Sequence, residues 1–260
     1  MHAALAPGRA VQVNANVIVF EASIFIIFLV FYQGASRAMG KAKHRGFFIG
    51  ALLFSLAFQI IAVWGGAMNF YWYSLNSYYK HYPLGGYIIW LGLVPLAACL
   101  LWYMVAAISQ MLSAVLMSKA NVASRAAVSG AIAVGFYLLV LPIGVTNHWW
   151  TFNMKSFYVI DIPLVALFAI FGSVFLFNAV YELTVLQQKD MKLLKKVEDK
   201  TIKRVAFKSN RFAKNLTWTQ LESLFFFRLA LALVAFAVYM IPVVVIFWAI
   251  ANRGQIPPRW

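Results

Sequence analysis

Residues 223–250 give a clear indication of the fold class. They read SLFFFRLALALVAFAVYMIPVVVIFWAI and contain a single charged residue, Arg228. A bilayer is crossed by a helix of about 20 apolar residues, and this run is too long and too continuous for a barrel strand. A helix in hydrocarbon also pairs its backbone N–H and C=O groups within itself. The stretch therefore predicts a transmembrane helix.

Composition extends this prediction to the whole chain. Of its 260 residues, 63% are hydrophobic and only 11% are charged, which leaves too little polar surface to cover a soluble protein of this length. We expect an all-α, polytopic helical bundle that forms one integral membrane domain over residues 1–260. The expected location is a cell membrane, most simply a prokaryotic plasma membrane. Hydropathy predicts six spans, at residues 16–32, 47–68, 86–117, 126–146, 157–181 and 223–250.

The distribution of Lys and Arg predicts the orientation of the bundle. The gaps after the first, third and fifth spans hold sixteen of these residues, whereas the opposite gaps and the chain ends hold five. By the positive-inside rule the richer gaps face the cytoplasm, so both termini lie outside it. The net charge of +15 therefore reflects the Lys and Arg residues that orient the protein in the membrane. It is not interpreted as a nucleic-acid-binding surface, and no nucleic-acid partner is predicted.

A long basic segment, residues 183–221, separates the fifth and sixth predicted spans. Its apolar residues recur at roughly helical spacing, which predicts a basic amphipathic helix extending from the fifth span into the cytoplasm. Such a helix lies along anionic lipid headgroups. The alternative is docking on the acidic surface of a protein partner.

Several kinds of site have no signature in the sequence. Cys99 is the only cysteine, so we expect neither a disulfide nor a cysteine metal site. His2, His44, His81 and His148 fall in the N-terminal tail and in loops with no pair at helical spacing, so each is expected to be solvated or interfacial and no metal or haem cofactor is predicted. We find no internal repeat and no signal-peptide pattern, and we expect the first span to be retained.

Ionisable residues inside apolar spans are costly and are therefore candidates for function. Glu21 lies about a turn inside the first span, and Asp161 opens the fifth. Glu182 and Glu222 lie near the predicted cytoplasmic face, where neighbouring lysines give them an ordinary structural setting. Glu21 has two interpretations, a buried functional group and an interfacial glutamate.

The predicted outer loops are rich in aromatic residues. Residues 69–85 read NFYWYSLNSYYKHYPLG, and residues 147–156 read NHWWTFNMKS. Tyr and Trp are typical of the headgroup level of a membrane, which accounts for many of them. The alternative is that these loops cover the outer mouth and build a flat-walled apolar pocket for a polyene, a quinone or a lipid tail.

Four short motifs resemble one membrane-enzyme family. They are GGAMNFYWYS at 65–74, WLGLVPLAACLLWYM at 90–104, LPIGVTNHWWTF at 141–152 and FYVIDIPL at 157–164. In order and spacing they resemble the carotenoid biosynthesis membrane protein family that includes carotenoid 1,2-hydratases and bisanhydrobacterioruberin hydratases. The resemblance implies a helical bundle that adds water to the terminal double bond of a linear carotenoid, without a metal or organic cofactor.

That reaction needs a Brønsted acid, a site that tolerates a tertiary cation, and a positioned water. The resemblance then makes Glu21 or Asp161 the catalytic acid. Where the family shows acids before its tryptophan motif, however, this chain has Tyr137 and Leu141 ahead of Pro142, and the Asn expected after the Pro163 motif is missing. The predicted substrate-binding residues are Tyr71, Tyr73, Trp102, Asn147, His148, Trp149 and Trp150.

Two functional hypotheses remain open at this point. The first is a carotenoid or isoprenoid hydratase or cyclase that binds its substrate among these aromatic residues. The second is a non-catalytic subunit of a larger membrane complex, which keeps the bundle and assembles with other subunits through its lipid-facing surfaces and basic segment. A transporter is a weaker option, because no repeats and no paired buried charges are evident.

Overall fold

The computed structural model describes residues 15–70, 87–147, 149–153, 157–201 and 218–251. These residues form six α-helices, α1 (Ala15–Met39), α2 (Lys41–Trp64), α3 (Leu96–Leu116), α4 (Val122–Thr146), α5 (Leu164–Thr201) and α6 (Trp218–Ala251). Each contains a segment long and apolar enough to cross a membrane. The chain is a multi-pass membrane protein.

Large apolar side chains cover the outside of the bundle. Ile26, Val30, Val234 and Ile241 of α1 and α6 are all more than half exposed. A contiguous apolar surface of this kind is stable in lipid and would aggregate in water. Helix α3 lies at the centre instead, and its residues 97–107 are buried without interruption. The outer helices therefore present the chain to lipid while α3 forms the core.

Glycines allow the helices to approach closely. A methyl group added at Gly50 would overlap the Phe225 ring of α6, and one added at Gly130 would approach Phe171 of α5 to within 2.9 Å. Small residues at such contacts are characteristic of membrane bundles, because association there depends on close packing more than on the hydrophobic effect.

Six short strands complete the fold at one end of the bundle, and hydropathy did not predict them. They are β1 (Met68–Phe70), β2 (Trp90–Leu91), β3 (Val94–Pro95), β4 (Trp150–Phe152), β5 (Tyr158–Val159) and β6 (Ile162–Pro163). The hairpins β2–β3 and β5–β6 directly precede α3 and α5. We call this end of the bundle the strand end, and the opposite end, which carries Arg37, Lys41 and Arg45, the basic end.

The hairpins correct two predicted span boundaries. The third span was predicted to begin at residue 86 and the fifth at residue 157, but α3 begins at Leu96 and α5 at Leu164. Hydropathy misses the change because the hairpin residues are as apolar as the helices they precede. At its other end α5 continues to Thr201, so the first part of the basic segment is helical, whereas residues 202–217 lie outside the described residues.

An internal repeat organises the centre of the protein, although sequence inspection found none. Helix α2, strand β1, hairpin β2–β3 and α3 form the first unit, and α4, β4, β5–β6 and α5 form the second. The hairpins share one register, since Trp90 pairs with Pro95 as Tyr158 pairs with Pro163. The hydrogen bonds Leu96 N–H to Ile89 O and Leu164 N–H to Phe157 O are likewise equivalent.

The helix ends of the two units also correspond. The N–H of Ala67 donates to Ala62 O after α2, as the N–H of Trp149 donates to Gly144 O after α4. Strands β1 and β4 pair antiparallel with Asn69 opposite Thr151, the middle residue of each strand. Two equivalent strands paired about their centres are related by a local two-fold axis. The repeat escaped detection because corresponding positions conserve geometry and apolar character more than residue identity.

Candidate ligand-binding cavity

A cavity of about 620 Å³ lies between the two repeat units at the strand half of the bundle, and α6 closes one side of it. Its volume falls within the range of about 300–1,000 Å³ that is typical of small-molecule sites. The wall is formed by Phe58, Gln59, Ile61, Ala62, Gly65, Ala67, Met68, Phe70, Ala98, Leu101, Tyr137, Leu141, Trp150, Phe152, Val165, Ala166, Ala169, Ile170, Phe236, Ala237, Met240, Ile241, Val244 and Val245.

The wall of this cavity is almost wholly apolar. Among the described lining residues, three have polar side-chain N or O atoms, Gln59, Tyr137 and Trp150, and none is charged. The Trp150 indole N–H is already used, because it donates to Leu141 O at 3.3 Å. Gln59 and Tyr137 are only 5% and 7% exposed, and neither side chain forms a hydrogen bond to another of the described residues.

One wall of the cavity depends on a contact between α4 and β4. Gly144 lies directly against the Trp150 indole, where an added Cβ would overlap the ring. Trp150 lies edge-on to Phe20 of α1 with ring centroids 5.7 Å apart, and Phe20 stacks on Trp149 at 4.0 Å. This aromatic cluster holds the indole in the position in which it lines the cavity.

Glu21, one of the two predicted catalytic acids, lies beside the cavity wall but does not line it. Its side chain is 2% exposed, and its two carboxylate oxygens accept hydrogen bonds from the N–H groups of Ile88 and Ile89 at 2.6 and 3.1 Å. These amides lead into hairpin β2–β3. The carboxylate therefore ties α1 to the hairpin of the first repeat unit.

Tyr87 joins the same contact. Its hydroxyl donates to Trp149 O at 3.1 Å, which connects the segment before β2 to the start of β4. Burial raises the pKa of the Tyr87 hydroxyl well above its ordinary value, and the nearby Glu21 carboxylate raises it further. The phenol is therefore neutral and available as a hydrogen-bond donor throughout the physiological pH range.

Asp161, the second predicted acid, lies in the exposed turn between β5 and β6. Ile160 and Asp161 both have positive φ angles, 50° and 60°, which correspond to the two central residues of a type I′ hairpin turn. Asp161 does not line the cavity. The structure thus brings neither predicted acid to the cavity wall.

The predicted substrate-binding residues divide into three groups. Trp150 lines the cavity, whereas Trp149, Trp102 and Asn147 do not. Trp102 is fully buried in α3, where its indole N–H donates to Ser173 Oγ at 3.4 Å, and the Asn147 amide donates to Ile143 O at 2.8 Å at the end of α4. Tyr71, Tyr73 and His148 lie outside the described residues.

His44 corrects the expectation of a solvated histidine. It lies in the first turn of α2, is 1% exposed, and hydrogen-bonds through Nε2 to the Tyr103 hydroxyl at 2.5 Å. Its ring also packs against Tyr32 with centroids 4.5 Å apart. The sequence placed His44 in a loop because the basic residues around it lower the local hydropathy, although α2 already begins at Lys41.

Glu182 is more than a helix-end carboxylate near lysines. It is 6% exposed and forms an ion pair with Arg125 of α4, with the Arg125 Nη2 atom 2.7 Å from its Oε2. The Gln110 amide of α3 donates to its other oxygen at 2.8 Å. Three helices therefore meet at this carboxylate near the basic end, far along α5 from the cavity. Sequence inspection found no paired buried charges because the two partners lie on different helices.

Comparisons with known proteins assign neither a family nor a function to this chain. The chain matches no protein-family model, no curated protein and no solved structure. Within the described ranges, no group of three His, Cys, Asp or Glu side chains is placed to hold a metal ion. The cavity between the repeat units is therefore the structural feature on which a proposed function can rest.

Proposed function

We propose that this membrane protein binds a linear isoprenoid or carotenoid in the cavity between its two repeat units. The observation that carries the proposal is the cavity itself, about 620 Å³ of uncharged, largely aliphatic and aromatic wall inside a lipid-embedded bundle. A ligand without charge and with little hydrogen-bonding capacity is the best match for such a wall.

The side of the cavity formed by α6 supports a ligand that arrives through the bilayer. Ile241 and Val245 belong to α6, line the cavity and are 63% and 56% exposed. A molecule dissolved in lipid reaches the cavity past these side chains without crossing water. This route suits a long hydrocarbon, which is nearly insoluble in water.

Aromatic residues give the cavity flat surfaces. Phe70, Trp150 and Phe152 belong to the paired strands β1 and β4 at the strand end, and Phe58 and Phe236 line the wall on α2 and α6. Flat rings pack well against a planar conjugated chain, whereas a saturated lipid tail packs equally well against aliphatic side chains. This difference favours a polyene over a phospholipid tail.

The proposal is for binding, and the hydration implied by the family resemblance stays a prediction. Hydration needs a proton donor that reaches the double bond, but Glu21 and Asp161 do not line the cavity. Tyr137 and Leu141, which stand where the resemblance implies acids, do line it. A neutral phenol and a leucine cannot replace a carboxylic acid in the protonation of an alkene, and this favours binding without chemistry.

The test is the identity of the apolar molecule that purifies with the protein. We would express the chain in cells that produce an acyclic carotenoid, purify it in mild detergent, extract it with organic solvent and analyse the extract by mass spectrometry. We expect one isoprenoid or carotenoid in stoichiometric amount. Recovery of membrane phospholipid alone would contradict the proposal.

A pair of variants locates the molecule. Ala98 lines the cavity and is 7% exposed, so Ala98→Phe should fill part of the cavity and reduce the bound carotenoid several-fold. Leu139→Phe is the matched control, because Leu139 lies on the outside of α4 with 69% exposure. Equal loss of carotenoid from both variants, or from neither, would place the ligand elsewhere.

The second candidate is a non-catalytic subunit of a membrane complex. The absence of acids from the cavity wall, among the residues that the structure describes, favours this alternative over an enzyme. Purification in mild detergent separates the two candidates. A protein that purifies with reproducible partner chains and no isoprenoid supports the subunit, whereas a protein that purifies alone with a bound polyene excludes it.

A further inference from the structure

We propose that the cavity recognises an oxygen-bearing end of its ligand, a hydroxyl or a carbonyl group, through the side chains of Gln59 and Tyr137. This inference rests on the proposed binding function and deepens it. A cavity that binds only a hydrocarbon needs no polar side chain in its wall. The wall of this cavity contains two without a hydrogen-bond partner among the described residues, Gln59 and Tyr137.

The burial of Gln59 and Tyr137 is the first argument. Both side chains are more than nine-tenths buried and line the cavity, and within the described part of the chain neither makes a hydrogen bond to another residue. The open space beside both residues is the cavity that they line. Most buried polar groups in proteins have a partner, because an unpaired group loses its hydration and gains nothing. A ligand oxygen would supply that partner.

The position of the two residues is the second argument. In the frame of the repeat, Gln59 of α2 corresponds to Leu141 of α4, and Tyr137 corresponds to Ser55. Tyr137 therefore lies one helical turn, about 6 Å, farther from the strands than Gln59. Both line the cavity from different helices, so a chain bound along the cavity passes Gln59 near the strands and Tyr137 about one turn deeper.

The chemistry of the pair defines the class of group that it binds. A glutamine amide offers both donor and acceptor atoms, and a tyrosine hydroxyl donates one hydrogen bond and accepts others. Together they can satisfy an alcohol, which donates and accepts, or a carbonyl, which accepts. The lining residues that the structure describes include none with a charge, so against this part of the wall a carboxylate or a phosphate would be buried without a counter-charge, at a high cost in free energy.

The repeat also shows that Gln59 and Tyr137 make the two ends of the cavity different. Leu141 occupies the position equivalent to Gln59 and lines the same cavity, so one unit presents an apolar side chain where the other presents an amide. The polar groups break the local two-fold symmetry of the wall. A ligand with one oxygenated end is then bound in a single orientation.

The experiment compares two probes that differ by one oxygen atom. The probes are geranylgeraniol and the C20 hydrocarbon with hydrogen in place of its hydroxyl group, and their binding to the full-length protein in lipid nanodiscs is measured with radiolabelled probe. We expect tighter binding of the alcohol. We expect Gln59→Leu and Tyr137→Phe each to raise the Kd for the alcohol about fivefold, the effect of one hydrogen bond, and to leave the Kd for the hydrocarbon unchanged.

Two further features of the experiment separate a failure of this inference from a failure of the proposed binding function. Leucine already occupies the position equivalent to Gln59, so Gln59→Leu introduces a residue that the fold accepts, and Leu141→Met is a control for a change in the wall that removes no polar group. Equal affinity of both probes for the unmodified protein, or equal weakening of both by the two substitutions, would overturn the inference while the proposed function stands. Binding of neither probe would overturn both.

Discussion

Glu21 illustrates how a buried carboxylate in a membrane protein can have a structural role. Its two oxygens accept hydrogen bonds from consecutive amides, those of Ile88 and Ile89, which belong to a segment 67 and 68 residues farther along the chain. Without the carboxylate, these two N–H groups would lose their partners in a poorly hydrated environment. The contact therefore links α1 to the first repeat unit.

We expect Glu21→Ala to lower the free energy of unfolding by about 3 kcal/mol, because two charge-assisted hydrogen bonds are lost at once. Glu21→Gln should cost less, since its carbonyl oxygen can still accept one of them. Thermal unfolding in detergent measures both effects, with Gln33→Ala at an exposed position of α1 as the control. Unchanged stability combined with lost hydration of a carotenoid would instead support Glu21 as the catalytic acid.

Tyr87 gives the protein a predictable response to alkaline pH. Its pKa is raised above the ordinary value of 10.0 in the folded protein, so above about pH 10 the unfolded chain releases a proton that the folded protein retains. The folded state then binds more protons, and its stability falls as the pH rises. The contribution is fully present below pH 10.

We therefore expect the unfolding temperature to fall less steeply between about pH 9.5 and pH 11 in Tyr87→Phe than in the unmodified protein. At pH 8 the variant should be about 1 kcal/mol less stable, because it lacks the hydrogen bond to Trp149 O. Parallel pH profiles for the two proteins would show that Tyr87 does not titrate as described.

At the scale of elements, the turn of the β5–β6 hairpin is built from unfavourable residues. Ile160 adopts a positive φ of 50°, although a β-branched side chain strongly disfavours that region. The equivalent turn of the first unit has Gly92 with φ of 66°, which carries no such cost. Strained backbone of this kind is often associated with functional sites.

We expect the double substitution Ile160→Asn and Asp161→Gly to stabilise the protein by about 1 kcal/mol or more, since Asn-Gly is the preferred sequence of a type I′ turn. Both positions are exposed, so little packing is lost. The measurements are the unfolding temperature and the chemical form, hydrated or unhydrated, of the carotenoid in cells that express the variant. A stabilised variant that no longer hydrates a carotenoid would return Asp161 to a catalytic role, and a destabilised one would contradict the turn geometry.

The contact between α4 and β4 controls one wall of the cavity. We expect Gly144→Ala to displace the Trp150 indole, to lower stability by about 1–3 kcal/mol and to reduce the amount of bound ligand. Gly135→Ala on the same helix is the control, because an added Cβ meets nothing there within 4 Å. Equal behaviour of the two variants would show that Trp150 does not rest on Gly144.

At the scale of the whole molecule, hydropathy predicts the number of helices and most of their extent. A run such as 223–250 is apolar whatever its neighbours are, so the span is evident from local sequence alone. The hairpins before α3 and α5 are not evident, because their residues are as apolar as the helices. The link from Glu21 to Ile88 depends on the packing of α1, which local patterns do not specify.

In the candidate site, too, some residues are evident from local sequence and others only from the packing of the helices. The sequence singles out Trp150 as a substrate-binding candidate because aromatic residues cluster in its loop, and in the structure Trp150 lines the cavity. It overlooks Gln59 as a site residue, since one amide in an apolar span has no partner visible in sequence, and it treats Tyr137 only as a departure from a family pattern. The repeat supplies the missing signal, because the equivalence of the two units gives Gln59 and Leu141 the same position and both residues line the cavity.

The orientation of the bundle stays a prediction from the lysine and arginine count. The start of α1 at Ala15 and the end of α6 at Ala251 lie at the strand end, and the ion pair of Arg125 with Glu182 lies toward the basic end. If the basic end faces the cytoplasm, the cavity lies in the outer half of the membrane. A ligand would then exchange with the outer leaflet past α6.

Site-specific photo-crosslinking tests the central claim most directly, namely that the cavity between the repeat units holds an isoprenoid chain. A diazirine analogue of phenylalanine is incorporated at Phe152, which lines the cavity, and in a separate protein at Leu139, which lies on the outside of α4. Both proteins are irradiated in carotenoid-producing cells, and the adducts are weighed by mass spectrometry. We predict one isoprenoid mass at Phe152 and mixed phospholipid masses at Leu139, whereas phospholipid adducts at both positions would contradict the account.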